Sequence, residues 1–386
     1  MKGKVIMEAI YLDHAATTPV HPEVVKTMYP AYHDIFGNPS SIHAFGRNAR
    51  HQLDESRAVV AQSIGAHERE IIFTSGGTEA DNLALIGLAF AQASKGKHII
   101  TTVQEHQAVL QSANYLETMG FDVTYLSVDA SGSVAIEDIR NALRDDTIIV
   151  SVMYANNETG ILQPIEAIGQ LLKDHQAYFH TDAVQAYGLI EVNVKQLGID
   201  LLTVSSHKIN GPKGVGALYV ADHINIKTLQ HGGNQEKQKR PGTENLIGII
   251  GFSKAVEIMQ HERKTRQTTY QEYKKAFIDR LKDHHITFTL NGNQELAIGS
   301  IANISFPGTH VETLLMNIDL AHIAASSGSA CTAGSLEPSY VLSEMFGQHD
   351  ETTLNSIRFS FGMGLSIDIV EEAADRIAQI IKRLTR

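Results

Sequence analysis

The chain has 386 residues, 43% hydrophobic and 19% charged, with a formal net charge of −11, 30 glycines and one cysteine. That length can bury a large core in two or three lobes, and a single cysteine excludes both an intramolecular disulfide framework and a zinc site built from several thiolates. The acidic balance argues against a surface that grips nucleic acid through its phosphates, the longest apolar runs (Leu246 to Phe252, for example) are too short to span a bilayer, and the start, Met1 to Glu8, reads as no signal peptide. A soluble, cytoplasmic protein is expected.

From about residue 70 to 220, short β-branched runs alternate with helix-like segments. Ile71 to Thr74 leads into a helix over Thr78 to Ala93, and His98 to Thr102 into one over Ala108 to Thr118. Asp122 to Leu126 is a further strand, Ile148 to Tyr154 precedes a helix near Ile165 to Asp174, Ala177 to His180 precedes Asp182, and Leu201 to Val204 precedes Ser205. Such alternation predicts an α/β domain with a mostly parallel sheet and a ligand site at the carboxyl ends of its strands. From Thr243 the texture changes to a long polar helix through Glu257 to Leu281, further strands, and an amphipathic helix over Asp368 to Leu384, read as a smaller α+β lobe. The 19 histidines are scattered, without the spacing of a metal site, so no metal is expected.

The strand-end rule makes neighbours of several polar residues. Ser75-Gly76-Gly77-Thr78-Glu79-Ala80-Asp81-Asn82 reads as strand, glycine turn and helix start. It fits either a phosphate cradle or a plain helix cap in which Glu79 and Asp81 favour the helix dipole. Asp182 at a strand end needs a cation or donors. Lys208, in Ser205-Ser206-His207-Lys208, follows an apolar strand, as a desolvated amine would, or a solvated lysine before a turn. Together, a phosphate cradle, a carboxylate for a pyridinium nitrogen and a lysine for an aldehyde fit pyridoxal phosphate. His106, after the strand His98 to Thr102, is a ring-stacking or helix-start residue. Arg358, alternating with apolar residues in Ser356-Ile357-Arg358-Phe359-Ser360, suits a substrate carboxylate or a buried ion pair. Cys331 lies in Ser326-Ser327-Gly328-Ser329-Ala330-Cys331-Thr332, among residues too small to bury it, which suggests an exposed thiol on a mobile loop.

Taken with Tyr11-Leu12-Asp13-His14-Ala15-Ala16-Thr17-Thr18-Pro19, Phe36-Gly37-Asn38-Pro39-Ser40-Ser41-Ile42-His43, Asn156-Asn157-Glu158-Thr159-Gly160 and Arg240-Pro241-Gly242-Thr243-Glu244-Asn245, these segments resemble, in order and spacing, the cysteine desulfurases of the NifS/IscS type. Those belong to the class V aminotransferase group of fold-type-I pyridoxal-phosphate enzymes. The resemblance implies a large domain over 14–255 with a mostly parallel seven-stranded sheet flanked by helices. A smaller α+β domain would comprise 1–13 and 256–386 and carry the catalytic-cysteine loop at about 326–340, of the longer kind.

It implies pyridoxal 5'-phosphate bonded to Lys208, its ring nitrogen paired with Asp182 and its ring stacked on His106, with Asn157 and Gln185 near its substituents. Gly77, Thr78, Ser205 and His207 would hold the phosphate, with Thr243 reaching it from the other subunit of a homodimer. Arg358, with Asn157, would bind L-cysteine through its carboxylate, and the Lys208 amine would move the Cα proton. The Cys331 thiolate would then take the substrate sulfur as a persulfide and leave L-alanine. An ordinary thiol has a pKa of ~8.5, so some activation is needed, and His106 is in place to accept the proton. His14 stands where many relatives carry tyrosine or asparagine. The chain also stops at Arg386, without the longer tail that docks an iron–sulfur scaffold in housekeeping members. A tRNA-thiolating enzyme is therefore as much expected as a sulfur acceptor as a scaffold is. A selenocysteine lyase or an aminotransferase of the same fold is the alternative, and for either Cys331 would be dispensable.

Overall fold

The computed structural model describes residues 9–328 and 338–385; Cys331 lies outside the described residues. The strands are β1 (Ile10–Tyr11), β2 (Ile71–Thr74), β3 (His98–Thr102), β4 (Asp122–Leu126), β5 (Thr147–Ser151), β6 (Tyr178–Asp182), β7 (Leu201–Ser205), β8 (Gly216–Val220), β9 (Thr289–Leu290), β10 (Ile301–Ser305), β11 (Ile323–Ala324) and β12 (Ser356–Ser360).

Seven of them form one sheet in the order β2-β8-β7-β6-β5-β3-β4, parallel throughout except that β8 runs against both its neighbours. Every residue of β3, β5 and β7 is buried. That is why these strands read as continuous β-branched runs rather than alternating ones: a parallel sheet covered on both faces has no solvent side. Helix Gly77–Gln92 packs across β5, β7 and β8 and against helix Gln107–Thr118. The helix ends fall within two residues of the sequence-based bounds, and Asp182 and Ser205 are the last residues of their strands rather than the first after them.

One element is longer than its composition suggested. The apolar run Leu246 to Phe252 forms the buried first turns of helix Leu246–Asp283, 38 residues and about 57 Å long. Its amino-terminal part packs in the core of the large sheet through Ile249, Phe252 and Val256. Its carboxyl-terminal part, with Phe277 and Leu281, belongs to a second core with Ile304, Phe306, Phe359 and Ile377. That second core lies on an antiparallel sheet of order β12-β10-β9 and the helix Ile367–Leu384, while β1 and β11 pair in parallel beside it. β12 is also bridged by Asp13 through Ser360 and by Ser326 through Arg358, so two distant segments converge on the arginine strand. Among the described residues, no helix is long and apolar enough to cross a membrane.

Candidate active site

The carboxyl ends of β2, β3, β5, β6 and β7 open onto one cavity of about 320 Å³. Gly77, Thr78, His106, Asn157, Asp182, Gln185, Ser205, His207, Lys208 and Arg358 all line it. Thr243 does not; it is exposed on the loop before helix Leu246–Asp283.

One end of the cavity is built by β2 and β7. After Thr74 the chain turns through Ser75 and Gly76 into the helix that begins at Gly77. A Cβ at Gly77 would stand 3.0 Å from the Val184 side chain, so a larger residue would crowd the turn. Ser205 Oγ is buried nearby without a hydrogen-bond partner. His207 Nδ1 lies 3.1 Å from Thr17 Oγ1, and burial together with the charges of Lys208 and Lys213 pulls its pKa down to about 4. A neutral donor set and the free N–H groups of a helix start suit an anion.

Glu79 is committed elsewhere, to Arg240 at 2.8 Å and to the Ser75 N–H at 2.6 Å. Asp81 departs from its sequence reading. It does not serve the helix dipole at the surface but is 1% exposed and faces the cavity. A carboxyl on the face of Gly77, Ala84 and Leu88, where a helix over a sheet should be apolar, is the signal that could have placed it there.

Asp81, His106 and Asp182 bring ligand atoms within 4.8 Å of one another. Burial raises the Asp182 carboxyl above its usual range against the nearby charges of His106 and Lys208, and Asp182 accepts the Val184 N–H at 2.9 Å. Asp81 is pushed well above its usual range by burial and by the charge of Asp182. Two buried carboxyls so close do not both ionise. We assign the anion to Asp182, which has an N–H donor, and the neutral acid to Asp81. His106 caps helix Gln107–Thr118, its Nδ1 accepting the Ala108 N–H at 3.1 Å, and also lines the cavity.

Lys208 Nζ donates to the carbonyls of Ala15 and, at 2.9 Å, Ala16, while Gln185 Nε2 donates to Ala15 O at 2.9 Å. The Tyr11 to Pro19 motif thus forms the wall behind the amine. Its His14 turns away into a packed site against Tyr11 and Gly362, and burial holds its pKa at about 4. Arg358, 2% exposed, donates from Nη2 to Asp13 Oδ1 and from Nη1 to the Asn157 carbonyl. It is a buried ion pair that also lines the cavity. Gly328, the last described residue before Cys331, is part of the same lining.

A cavity with a helix-start anion site, a buried carboxylate calling for a cation, a lysine amine and the partnerless polar atoms Asn157 Oδ1 and Ser205 Oγ fits a ligand carrying a phosphate, a basic ring nitrogen and an aldehyde.

Comparison with known proteins agrees. The family model "Aminotransferase class-V" matches residues 10–372. The chain is 53% identical to the putative cysteine desulfurase IscS 1 of Bacillus subtilis (strain 168), over 98% of this chain and 100% of that one. It is 46% identical to the cysteine desulfurase IscS of Dictyoglomus turgidum, over 97% and 95% of the two chains. Among solved structures it is similar to a NifS-like protein, with a TM-score of 0.91 and 31% identity over 97% of this chain and 100% of the other. It is also similar to SspA solved in complex with cysteine, with a TM-score of 0.82 and 34% identity over 91% and 98%. The chain belongs to the class-V aminotransferase family and, within it, to the cysteine desulfurases.

Proposed function

We propose that the protein holds pyridoxal 5'-phosphate in the cavity described above, removes sulfur from L-cysteine, and collects it as a persulfide on Cys331 with release of L-alanine. The observation that carries this reading is the convergence of ten residues, from segments as far apart as Gly77 and Arg358, on one lining. Gly77, Thr78, Ser205 and His207 take the phosphate, Asp182 the ring nitrogen, His106 a ring face, and Lys208 the aldehyde carbon. Bound there, the cofactor supplies a carbonyl for the substrate amine and a ring that takes up electrons from Cα.

The residues of the chain do the rest. Asp182, ionised, keeps a proton on the ring nitrogen, and Asp81 beside it remains a neutral acid. Arg358 and Asn157 hold the substrate carboxylate, which fixes the Cα–H bond toward the Lys208 amine for proton removal. His106 takes the Cys331 thiol proton. The Cys331 thiolate then attacks the substrate sulfur: an S–S bond forms, the Cβ–S bond breaks, and its electron pair stays on Cβ; Cβ gains one proton and Cα regains the one that Lys208 removed. One L-cysteine and the Cys331 thiol thus become L-alanine and the Cys331 persulfide, with no external oxidant or reductant.

The persulfide passes to the thiol of an acceptor protein serving iron–sulfur cluster assembly or tRNA thiolation. A homodimer is supported by exposed apolar side chains clustered in one stretch, Tyr29, Tyr32, Phe36, Ile42 and Phe45, and by the exposure of Thr243, which would then reach the partner's phosphate site. The second apolar core draws on 1–13 and 256–386, which supports that division from 14–255, although helix Leu246–Asp283 runs through both cores and Ile298, Ile301, Val341, Leu342 and Met345 pack in the first. A thiol that must stay reduced to attack suits the cytoplasm.

The test is to incubate the pure holoenzyme with L-cysteine, assay alanine, and map added sulfur by mass spectrometry. One alanine per sulfur on Cys331 is expected. Sulfur elsewhere, or undiminished sulfide release by Cys331→Ala, overturns the reading in favour of a lyase or aminotransferase of the same fold.

A further inference from the structure

Glu158 is a buried carboxyl that the chemistry above does not use. It is 1% exposed. Its turn is firmly held: Asn156 Oδ1 accepts the N–H groups of Glu158 and Thr159, each at 2.9 Å, and the Asn303 side chain donates to the Glu158 carbonyl at 3.1 Å. Two separate pieces of chain meet its carboxylate. Gly328, at φ +100°, lies so near that a Cβ there would stand 2.1 Å from Glu158 Oε2, and Ser339 Oγ donates to the same oxygen. Gly328 is the last described residue before Cys331, and Ser339 is the second described residue after it.

Each stem is fixed on its outer side as well. Ser326 exchanges backbone hydrogen bonds with Arg358 at 2.7 and 3.2 Å. Ser339 caps the helix Tyr340–Phe346 by accepting the Leu342 N–H at 3.1 Å, and Tyr340 Oη donates to the Glu105 carbonyl at 2.5 Å, one residue from His106.

We propose that Glu158 is a positioning residue for sulfur transfer: one carboxyl group joins both stems of the segment that bears Cys331 and so sets how that thiol meets the substrate held by Arg358. The proposal rests on the desulfurase reading. It accounts for two features that reading leaves over. A buried carboxyl demands a partner, and here the partner is the far stem; a glycine at 328 is required because any side chain would displace Glu158. Burial lifts the Glu158 pKa to about 7 in spite of the Ser339 hydroxyl and the Arg358 charge. The carboxyl is therefore the weakly solvated kind whose geometry is dictated by its neighbours. Fixing both ends of a reactive segment limits the positions its nucleophile can take, and small misplacements of a nucleophile are costly.

The test follows holoenzyme through one turnover with L-cysteine at two points: the change in cofactor absorption as substrate binds, and the arrival of sulfur on Cys331 by mass spectrometry. Glu158→Ala is expected to slow sulfur arrival by about tenfold or more while leaving the absorption change within about twofold. Ser339→Ala should slow it by roughly threefold, and the double variant should be no slower than Glu158→Ala alone, because both act through one contact. Glu158→Gln, which keeps an oxygen for the Ser339 hydroxyl, should recover most of the rate. A weakened helix cap alone would not change the ratio of the two steps. Sulfur arrival at the wild-type rate in Ser339→Ala, or losses that simply add in the double variant, overturns the proposal. If Glu158→Ala yields no folded holoenzyme, Ser339→Ala compared with Glu158→Gln decides it in the same way. Wild-type protein that shows the absorption change but never sulfur on Cys331 would instead remove the desulfurase reading.

Discussion

Arg358 Nη2 donates to Asp13 Oδ1 at 2.8 Å, tying the central strand residue of the smaller sheet to the motif that also walls in Lys208. With Nη1 on the Asn157 carbonyl, two of its five N–H groups are occupied, and Nε is buried without a partner. In the proposed function a substrate carboxylate would meet the remaining N–H groups of this fixed guanidinium. Arg358→Lys, which keeps charge but loses the fork, should raise KM for L-cysteine by about tenfold or more with a smaller change in kcat. Asp13→Ala leaves the guanidinium buried and unpaired, and should lower unfolding free energy by about 3 kcal/mol in a denaturant titration.

Lys208 faces the Ala15 and Ala16 carbonyls, which orient its amine toward the cavity. Borohydride reduction of the holoenzyme followed by peptide mapping should find the cofactor on Lys208 and nowhere else. Lys208→Ala should lose on the order of 10³–10⁴ in kcat, the range for a positioned proton-transfer group. Label on another lysine, or a kcat within about tenfold of wild type, would contradict the assignment.

Asp182 and Asp81 should respond unequally to the same substitution. Asp182→Asn removes the anion proposed to pair with the ring nitrogen and should cost on the order of 100-fold to 1000-fold in kcat. Asp81→Asn replaces a neutral acid by a neutral amide of nearly the same shape, so cofactor affinity measured by fluorescence titration should stay within about threefold. A much larger change would mean that Asp81, not Asp182, carries the charge.

The large sheet was legible because β3, β5 and β7 are buried on both faces, which leaves uninterrupted apolar runs that period-2 patterning cannot disguise. Gly77, Thr78, His106, Asp182, Ser205, His207 and Lys208 were legible because each ends or closely follows a strand of the alternating region, so topology brings them together without any knowledge of side-chain packing, whereas Arg358 lies inside β12 of the smaller sheet. What escaped the sequence depends on distant contacts. The short strands β1 and β11 pair with each other from opposite ends of the chain, and β9 makes only a two-residue pairing with β10. Leu246 to Phe252 reads as an isolated apolar run because the rest of its helix is polar. Glu158 is an ordinary turn residue until Gly328 and Ser339 arrive beside it.

Glu105 gives a prediction in pH. It is 0% exposed, its Oε1 accepts the Met153 N–H at 2.8 Å and the Thr102 hydroxyl at 2.9 Å, and its Oε2 is buried without a partner. Burial pushes its pKa up to about 8, those two hydrogen bonds opposing the shift and the charge of Asp182 adding to it. A carboxyl whose folded pKa is raised binds more protons folded than unfolded between about 4.5 and 8, so its contribution to stability is complete below that window and is lost as pH rises through it. His14, His180 and His207, held at about 4, 3 and 4, work in the opposite sense between those values and about 6.5 and are silent above it. Lys274, pulled down by burial to about 8, works in the opposite sense from there upward, so it is the comparison of Glu105→Gln with wild type across pH ~6.5 to ~8.5 that isolates Glu105. Glu105→Gln cannot ionise, and across that window it should spare about 2 kcal/mol of the stability that wild type loses. Urea titrations of both holoenzymes at several pH values measure the difference, and parallel stability curves would mean that Glu105 does not titrate there.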